Sequence, residues 1–128
     1  MSDPTTPKAA LQLLARLGAS PWLLRHHELV VEAAVLLCDR LRAELQLPID
    51  AGLILVGAAL HDVGKTVHPS EMTEPGRLHE EAGQQLLLEQ GVSPRVARFC
   101  VTHASWEAPA LALEDLVVAL ADKLWKGA

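Results

Sequence analysis

The amino-acid sequence predicts an all-α fold, a compact bundle of about six helices within one domain over residues 1–128. Half of the residues are hydrophobic, but only 3% are aromatic and none is Tyr. Leu, Val and Ala supply most of this apolar content, which suits packing between helices better than a β-sandwich. Apolar residues also recur at helical spacing along most of the chain, and capping residues, prolines and glycines separate these stretches.

Six stretches share this helical spacing, at about residues 7–17, 20–45, 51–62, 78–90, 93–103 and 113–125. The first ends at Gly18, a residue type common at helix C-termini. The second begins at Ser20-Pro21, which combines an N-cap with a proline in the first turn, and Pro48 marks the break beyond it. Asp50 caps the third helix, which is apolar nearly all round and is therefore expected to be central.

The second half of the chain contains the two predicted loops. Residues 64–77 are expected to form the one substantial loop, because Pro and Gly interrupt the helical pattern there. The fourth helix stops at Gly91, and Ser93-Pro94 repeats the cap-and-proline start for the fifth. A second loop is expected over residues 104–112, before an apolar last helix that carries a carboxylate in its middle.

Charge and cysteine content limit the partners and the compartment. The formal net charge of −5 gives no bulk attraction for a nucleic-acid polymer or an anionic membrane. Cys38 and Cys100 lie in apolar helical stretches and are expected to be reduced core residues, since the first residues lack a signal peptide. The most apolar window, residues 51–60, is about half the length that spans a bilayer. We therefore expect a cytoplasmic protein with no membrane partner.

Ligand-type residues recur on the apolar faces of these helices. The His61-Asp62 pair ends the most apolar helix, and Asp122 lies within the apolar last helix. His26 precedes an apolar face at helical spacing. Taken alone, His61 could simply be a surfaced helix end that favours the dipole. Five helices that each deliver a His or Asp, mostly towards the interior, instead indicate a shared metal centre.

Three segments carry a resemblance to a known family. Residues 25–30 read RHHELV, residues 60–65 read LHDVGK, and residues 120–124 read LADKL. This order of His, His-Asp and Asp resembles the HD-domain phosphohydrolase superfamily, over about residues 22–125. The resemblance implies an HD-domain-like helical bundle and a metal-dependent phosphohydrolase whose ligands include His26, His61, Asp62 and Asp122.

Two further segments resemble the members that hold two metal ions. They are LHEEAG at residues 78–83 and TH at residues 102–103, which add His79 and His103 to the ligands. Among such members, the chain is similar to the bacterial-type hydrolases of dinucleotide polyphosphates. This resemblance implies that a metal-bound hydroxide attacks a small phosphorylated metabolite, most simply a nucleotide or dinucleotide polyphosphate, with Asp62 bridging the ions. Four histidines and two carboxylates favour one or two ions of Fe, Mn, Co, Ni or Zn over Mg.

Individual residues can be assigned roles on this basis. His26 is preferred to His27 as the ligand, because neighbours on a helix point about 100° apart and only one faces the core easily. Lys65 follows the His-Asp pair and is a catalytic candidate, a cation that binds the transferring phosphoryl group. Arg77 is a candidate substrate-binding residue, although surface solvation is its default explanation. Trp106 is another candidate, which could equally stack on a substrate base or close the core.

A non-catalytic alternative remains open from the sequence. The chain ends six residues after Asp122, where many family members continue with more helices. It could be a minimal or truncated member, and the same constellation could serve as an inactive metal- and nucleotide-binding sensor or regulatory module. Retention of the ligand set and Lys65 favours the enzyme. The sequence does not specify the oligomeric state.

Overall fold

The computed structural model describes residues 3–103 and 111–124, and within these ranges it contains helices and no strand. The described ranges contain seven α-helices in chain order: α1 Pro7–Arg16, α2 Pro21–Leu45, α3 Ala51–Leu60, α4 Leu78–Glu89, α5 Pro94–Ala97, α6 Phe99–Thr102 and α7 Leu113–Leu124. Two 3₁₀ turns, Val63–Thr66 and Pro69–Met72, lie between α3 and α4. The predicted all-α fold is confirmed. No helix of the described ranges combines the length and hydropathy that a bilayer span requires.

Three segments differ from the prediction. The fifth predicted helix is divided into α5 and α6, although Arg98 between them keeps helical dihedral angles of φ −59° and ψ −27°. The segment 64–77, predicted as a loop, contains most of the first 3₁₀ turn and all of the second. The third helix ends at Leu60 rather than Asp62, because Asp62 leaves the helical region and its N–H donates to the side chain of His27.

Helix α3 is the central element, as its all-round apolar sequence predicts. Its residues Val56 and Leu60 belong to a core cluster that also contains buried side chains of α1, α4 and α5. Ile54 and Ala58, on another face of α3, pack with α2, α7 and Phe99 in a second cluster. Burial of each large apolar side chain contributes about 1.5–3 kcal/mol. The end of α3 therefore lies between both halves of the core.

The predicted helix starts are largely confirmed by hydrogen bonds. The side chains of Ser20 and Asp50 each accept a hydrogen bond from the N–H three residues on, at 3.2 and 3.1 Å. Such caps contribute about 1 kcal/mol each. Ser93 is different, because its N–H and its hydroxyl both donate to the carboxylate of Asp3, at 2.7 Å. Its side chain therefore anchors the N-terminal segment rather than capping α5.

The first 3₁₀ turn packs directly against the backbone of α4. A Cβ atom on Gly64 would overlap the carbonyl group of His79 and the backbone nitrogen of Gly83. Only glycine permits this approach. The contact fixes the position of α4 relative to the end of α3, and with it the position of His79 relative to Asp62.

Candidate metal centre

Asp62 lies at the centre of a buried cluster of histidines. Its carboxylate Oδ2 lies 3.1 Å from Nε2 of His26 and 3.4 Å from Nε2 of His61. Its other oxygen, Oδ1, lies 3.4 Å from Nε2 of His79 and 3.4 Å from Nε2 of His103. The side chain of Asp62 is only 5% exposed. The two oxygens of one buried carboxylate therefore face two different pairs of imidazoles.

The Oδ2 side of Asp62 also contains a second carboxylate, from α7. Oδ1 of Asp122 lies 3.1 Å from Nε2 of His61 and 3.5 Å from Nε2 of His26. Atoms that bind one ion at about 2.0–2.2 Å stand roughly 3–3.5 Å from one another, so these separations match a shared ion. We call this set, whose ligand atoms all lie within 4.8 Å of one another, the first ligand group: His26, His61, Asp62 and Asp122.

The Oδ1 side of Asp62 forms a second ligand group with His79 and His103. These two histidines lie at the start of α4 and directly after α6, so separate elements bring them together. All three members are buried. The structure thus brings together all six residues that the sequence singles out as candidate metal ligands.

Three histidines of the cluster, His61, His79 and His103, hold their outer nitrogens against hydrogen-bond acceptors. Nδ1 of His61 and Nδ1 of His103 each lie 2.9 Å from a main-chain carbonyl oxygen about one turn earlier. Nδ1 of His79 lies 2.7 Å from the carboxylate of Glu71. Because these oxygens only accept, each Nδ1 carries the hydrogen, and Nε2 is left to face the cluster. Oriented imidazoles around one buried and one partly buried carboxylate are the donor set that a divalent transition metal prefers, so the residues fit such ions.

His27 is buried beside the cluster, contrary to the expectation that only one of the two neighbouring histidines faces the core. Its Nδ1 donates to the carbonyl oxygen of Leu23 at 2.9 Å, and its Nε2 accepts the main-chain N–H of Asp62 at 3.1 Å. Burial, with the nearby charge of His61, lowers the pKa of His27 to about 3. His27 is therefore neutral and holds the backbone of Asp62. Its position four residues after Leu23 on the apolar face of α2 is the signal that could have revealed it.

Glu71 is a second residue that the sequence interpretation missed. It belongs to the second 3₁₀ turn, and its side chain is only 7% exposed because it is directed at His79. Burial raises its pKa, but hydrogen bonds from the side chain and main chain of His79 outweigh this and lower the pKa overall. No periodic signal connects these two residues, since an irregular segment separates them.

The charges of the cluster are strongly coupled. Burial lowers the pKa of His61, but the charge of Asp62 and the hydrogen bond to Asp122 outweigh it and raise the pKa to about 10. Burial raises the pKa of Asp62, and the charge of His61 with hydrogen bonds from His26 and other histidines holds it well below the usual range. Without a bound metal ion, His61 is therefore protonated and lies beside two carboxylates. A bound cation would replace this proton.

The candidate substrate-binding residues differ in their surroundings. The ammonium group of Lys65 lies 3.4 Å from Oδ2 of Asp62, and its side chain is 17% exposed, so it borders the cluster. The guanidinium group of Arg77 is largely exposed and forms an ion pair with Glu80 at 3.0 Å. Trp106 lies outside the described residues. Catalysis by Asp62 and Lys65, and substrate binding by Lys65, Arg77 and Trp106, stay predictions.

Trp22 lies at the edge of the first ligand group. Its ring stacks on that of His26, with the ring centroids 5.8 Å apart and the planes 2° from parallel. The residue is 53% exposed. Trp22 therefore presents aromatic surface to solvent next to a candidate metal ligand, a feature that the sequence interpretation did not use.

Comparisons with known proteins give a family match over most of the chain. The sequence model of the family described as HD domain matches residues 23–125, a range that contains both ligand groups. A tRNA (cytidine(56)-2'-O)-methyltransferase from Thermoplasma volcanium is 31% identical over 135 aligned residues, which cover 94% of the chain and 36% of that protein. The chain therefore spans about a third of the length of this curated relative. No solved structure matches the chain.

Proposed function

The chain belongs to the HD-domain family, and on that premise we propose that it is a metal-dependent phosphohydrolase of small phosphorylated metabolites. The observation that carries the proposal is the central place of Asp62, whose two carboxylate oxygens face two groups of ligand-type side chains. The two groups, which share Asp62, would hold two metal ions, and these would supply the chemistry of a two-metal phosphoryl-transfer site.

The charge of the site supports binding of a phosphorylated substrate once ions are bound. Asp62, Asp122 and Glu71 contribute three negative charges, and Lys65 contributes one positive charge. Two divalent cations therefore convert a negative site into a positive one, although the chain as a whole is acidic. Ions of the Fe, Mn, Co, Ni or Zn type would supply an activated water and stabilise charge on the phosphoryl oxygens.

The protein side chains have separate tasks in this scheme. Asp62 would contribute one oxygen to each ion, while His27 holds its main chain in place. The partly exposed Lys65 is placed to donate to a phosphoryl oxygen beside the cluster. Loss of one such charge-stabilising donor typically slows catalysis by about a hundredfold or more.

Within this class we propose a nucleotide or dinucleotide polyphosphate as substrate. The exposed ring of Trp22 beside His26 is suited to stack on a base, which a simple phosphate lacks. A polymer is disfavoured, because the chain has a net charge of −5 and binding of polymers depends on many Lys and Arg contacts to phosphates.

The second candidate function is a catalytically inactive metal- and nucleotide-binding module. The match to part of a protein named as a tRNA methyltransferase favours it, since the chain spans only 36% of that relative. In such a setting an HD domain could bind a nucleotide and regulate an attached activity. Methyl transfer is the activity that the name of that relative gives, and no feature of the two ligand groups requires it.

A panel of nucleotides, dinucleotide polyphosphates and single-stranded DNA and RNA, incubated with the purified chain and added Mn²⁺ or Co²⁺, separates these candidates. If the chain is a phosphohydrolase, wild type should release product, Asp62→Ala should release none, and Lys65→Ala should turn over about a hundredfold more slowly. The regulatory module predicts metal-dependent nucleotide binding without turnover. Cleavage of the polymers with nucleotides left intact would refute the proposed substrate class.

A further inference from the structure

Glu71 forms hydrogen bonds to two adjacent residues at the start of α4. Its Oε1 accepts the main-chain N–H of His79 at 2.9 Å and the Nδ1–H of the same residue at 2.7 Å. Its Oε2 accepts the main-chain N–H of Leu78 at 3.2 Å. Arg77, the residue at the N-cap position, makes no capping bond with its side chain. One carboxylate therefore caps α4 from outside the helix and orients the imidazole of His79.

The surrounding chain is shaped to admit this carboxylate. A Cβ atom on Gly76 would overlap the carboxyl group of Glu71, so the glycine leaves the space that the carboxylate occupies. Residues 73–78 are otherwise exposed, whereas the side chain of Glu71 is 7% exposed. Both observations indicate a dedicated site for the carboxylate rather than a chance surface contact.

The anchor of His79 differs in charge from those of two other histidines of the cluster. His61 and His103 donate to neutral main-chain carbonyl groups, but His79 donates to an anionic carboxylate. A carboxylate partner fixes the tautomer and raises the basicity of the imidazole, which strengthens a bond from Nε2 to a cation. The effect of Glu71 should therefore be confined to the second ligand group.

We propose that Glu71 is a positioning residue for the ion of the second ligand group and that it links the segment 63–77 to binding of that ion. This inference rests on the two-ion arrangement of the proposed function. Ordering of the segment and binding of the second ion support each other, because the same carboxylate holds the second 3₁₀ turn against the start of α4. Lys65 lies in the same segment, so the second ion also influences the part of the chain that is proposed to bind phosphate.

The substitution Glu71→Gln separates charge from shape. The amide oxygen can still accept from His79, but the negative charge is lost and the amide nitrogen faces the N–H of Leu78. Loss of an outer partner of a ligand typically weakens metal binding by about 10–100-fold. Glu74→Gln is the matched control, since Glu74 is an exposed carboxylate three residues on in the same segment.

Calorimetric titration of the metal-free full chain with Mn²⁺, with bound ions counted by elemental analysis, tests this inference. We expect Glu71→Gln to weaken the second binding step by about 10–100-fold and to leave the first step unchanged, with Glu74→Gln like wild type. Thermal unfolding of the metal-free variants shows whether the fold itself is affected.

Three results would overturn the inference: an unchanged second step in Glu71→Gln, equal weakening of both steps, or a wild type that binds one ion only. Failure of the proposed function is distinguishable, because it would appear as absent turnover in a wild-type protein that carries two ions. In that case the positioning role of Glu71 would still stand on the binding data.

Discussion

Replacement of His27 by leucine tests whether this buried histidine holds Asp62 in place. Leucine is close to histidine in volume and can fill the site, but it offers no acceptor to the N–H of Asp62. Glutamine at the same position is of similar size and retains an acceptor on a side chain that can approach that N–H. The pair His27→Leu and His27→Gln therefore separates loss of the hydrogen bond from change in packing.

The magnitude follows from the two hydrogen bonds of the imidazole. The N–H of Asp62 would be left buried without this acceptor, which costs about 1–3 kcal/mol. The carbonyl of Leu23 loses the Nδ1–H donor, which removes a bond with a net contribution of about 0.5–1.5 kcal/mol. Apolar burial of the new leucine offsets part of this loss. We expect His27→Leu to lower the free energy of unfolding by about 1–3 kcal/mol, and His27→Gln to lower it less.

Urea unfolding of the metal-free proteins at neutral pH measures these differences, and metal titration measures the consequence for the site. Because His27 holds Asp62, the residue common to both ligand groups, His27→Leu should weaken the binding of both ions by about tenfold or more. Glu71→Gln differs, since it should weaken binding of the second ion alone. Wild-type stability and wild-type affinity for both ions in His27→Leu would refute the reasoning.

Three further predictions concern packing, substrate recognition and pH. Gly64→Ala should destabilise the fold and weaken binding of the second ion, since a Cβ atom would overlap the backbone of α4. A Tm and a metal affinity equal to those of wild type would contradict this. Trp22→Ala should raise KM for nucleotides but not for a phosphoester without a base, and an equal rise for both would argue against base stacking. Hydrogen bonds from the main chain of Leu53 and the side chain of Arg95 lower the pKa of Asp50 below its ordinary value of 3.8. Its contribution to stability should therefore be present above pH 3.8 and be lost as the pH falls through the lower pKa of the folded protein. Asp50→Ala should remove that part of the pH dependence of unfolding, and an unchanged profile would show that Asp50 contributes none.

The central place of α3 was predictable because its sequence is apolar on every face, and such a helix must be covered on all sides. The starts at Ser20 and Asp50 were predictable because local hydrogen bonds determine caps. The division between α5 and α6 was not, since Arg98 keeps helical dihedral angles and no glycine or internal proline marks the break. The end of α3 depends on the contact between His27 and Asp62, residues that are 35 positions apart in the sequence.

The candidate site shows the same contrast. Residues such as His61 and Asp122 were identified because ligand-type side chains on apolar helix faces require compensation. Glu71 and His27 were missed because they bind other candidate ligands: Glu71 binds His79, and His27 accepts the main-chain N–H of Asp62. A glutamate in an irregular segment carries no periodic signal of burial in the sequence. The assumption that only one of two adjacent helix residues faces the interior failed at His27, because His26 and His27 are both buried.

The rate of nucleotide hydrolysis, measured as Mn²⁺ is added stepwise to the metal-free wild-type chain, tests the central claim most directly. If Asp62 joins two ions in one catalytic centre, turnover should rise with metal and reach its maximum at two bound ions per chain, with none in Asp62→Ala. A chain that binds two ions and nucleotide but releases no product would contradict the claim. It would instead identify the chain as a regulatory module.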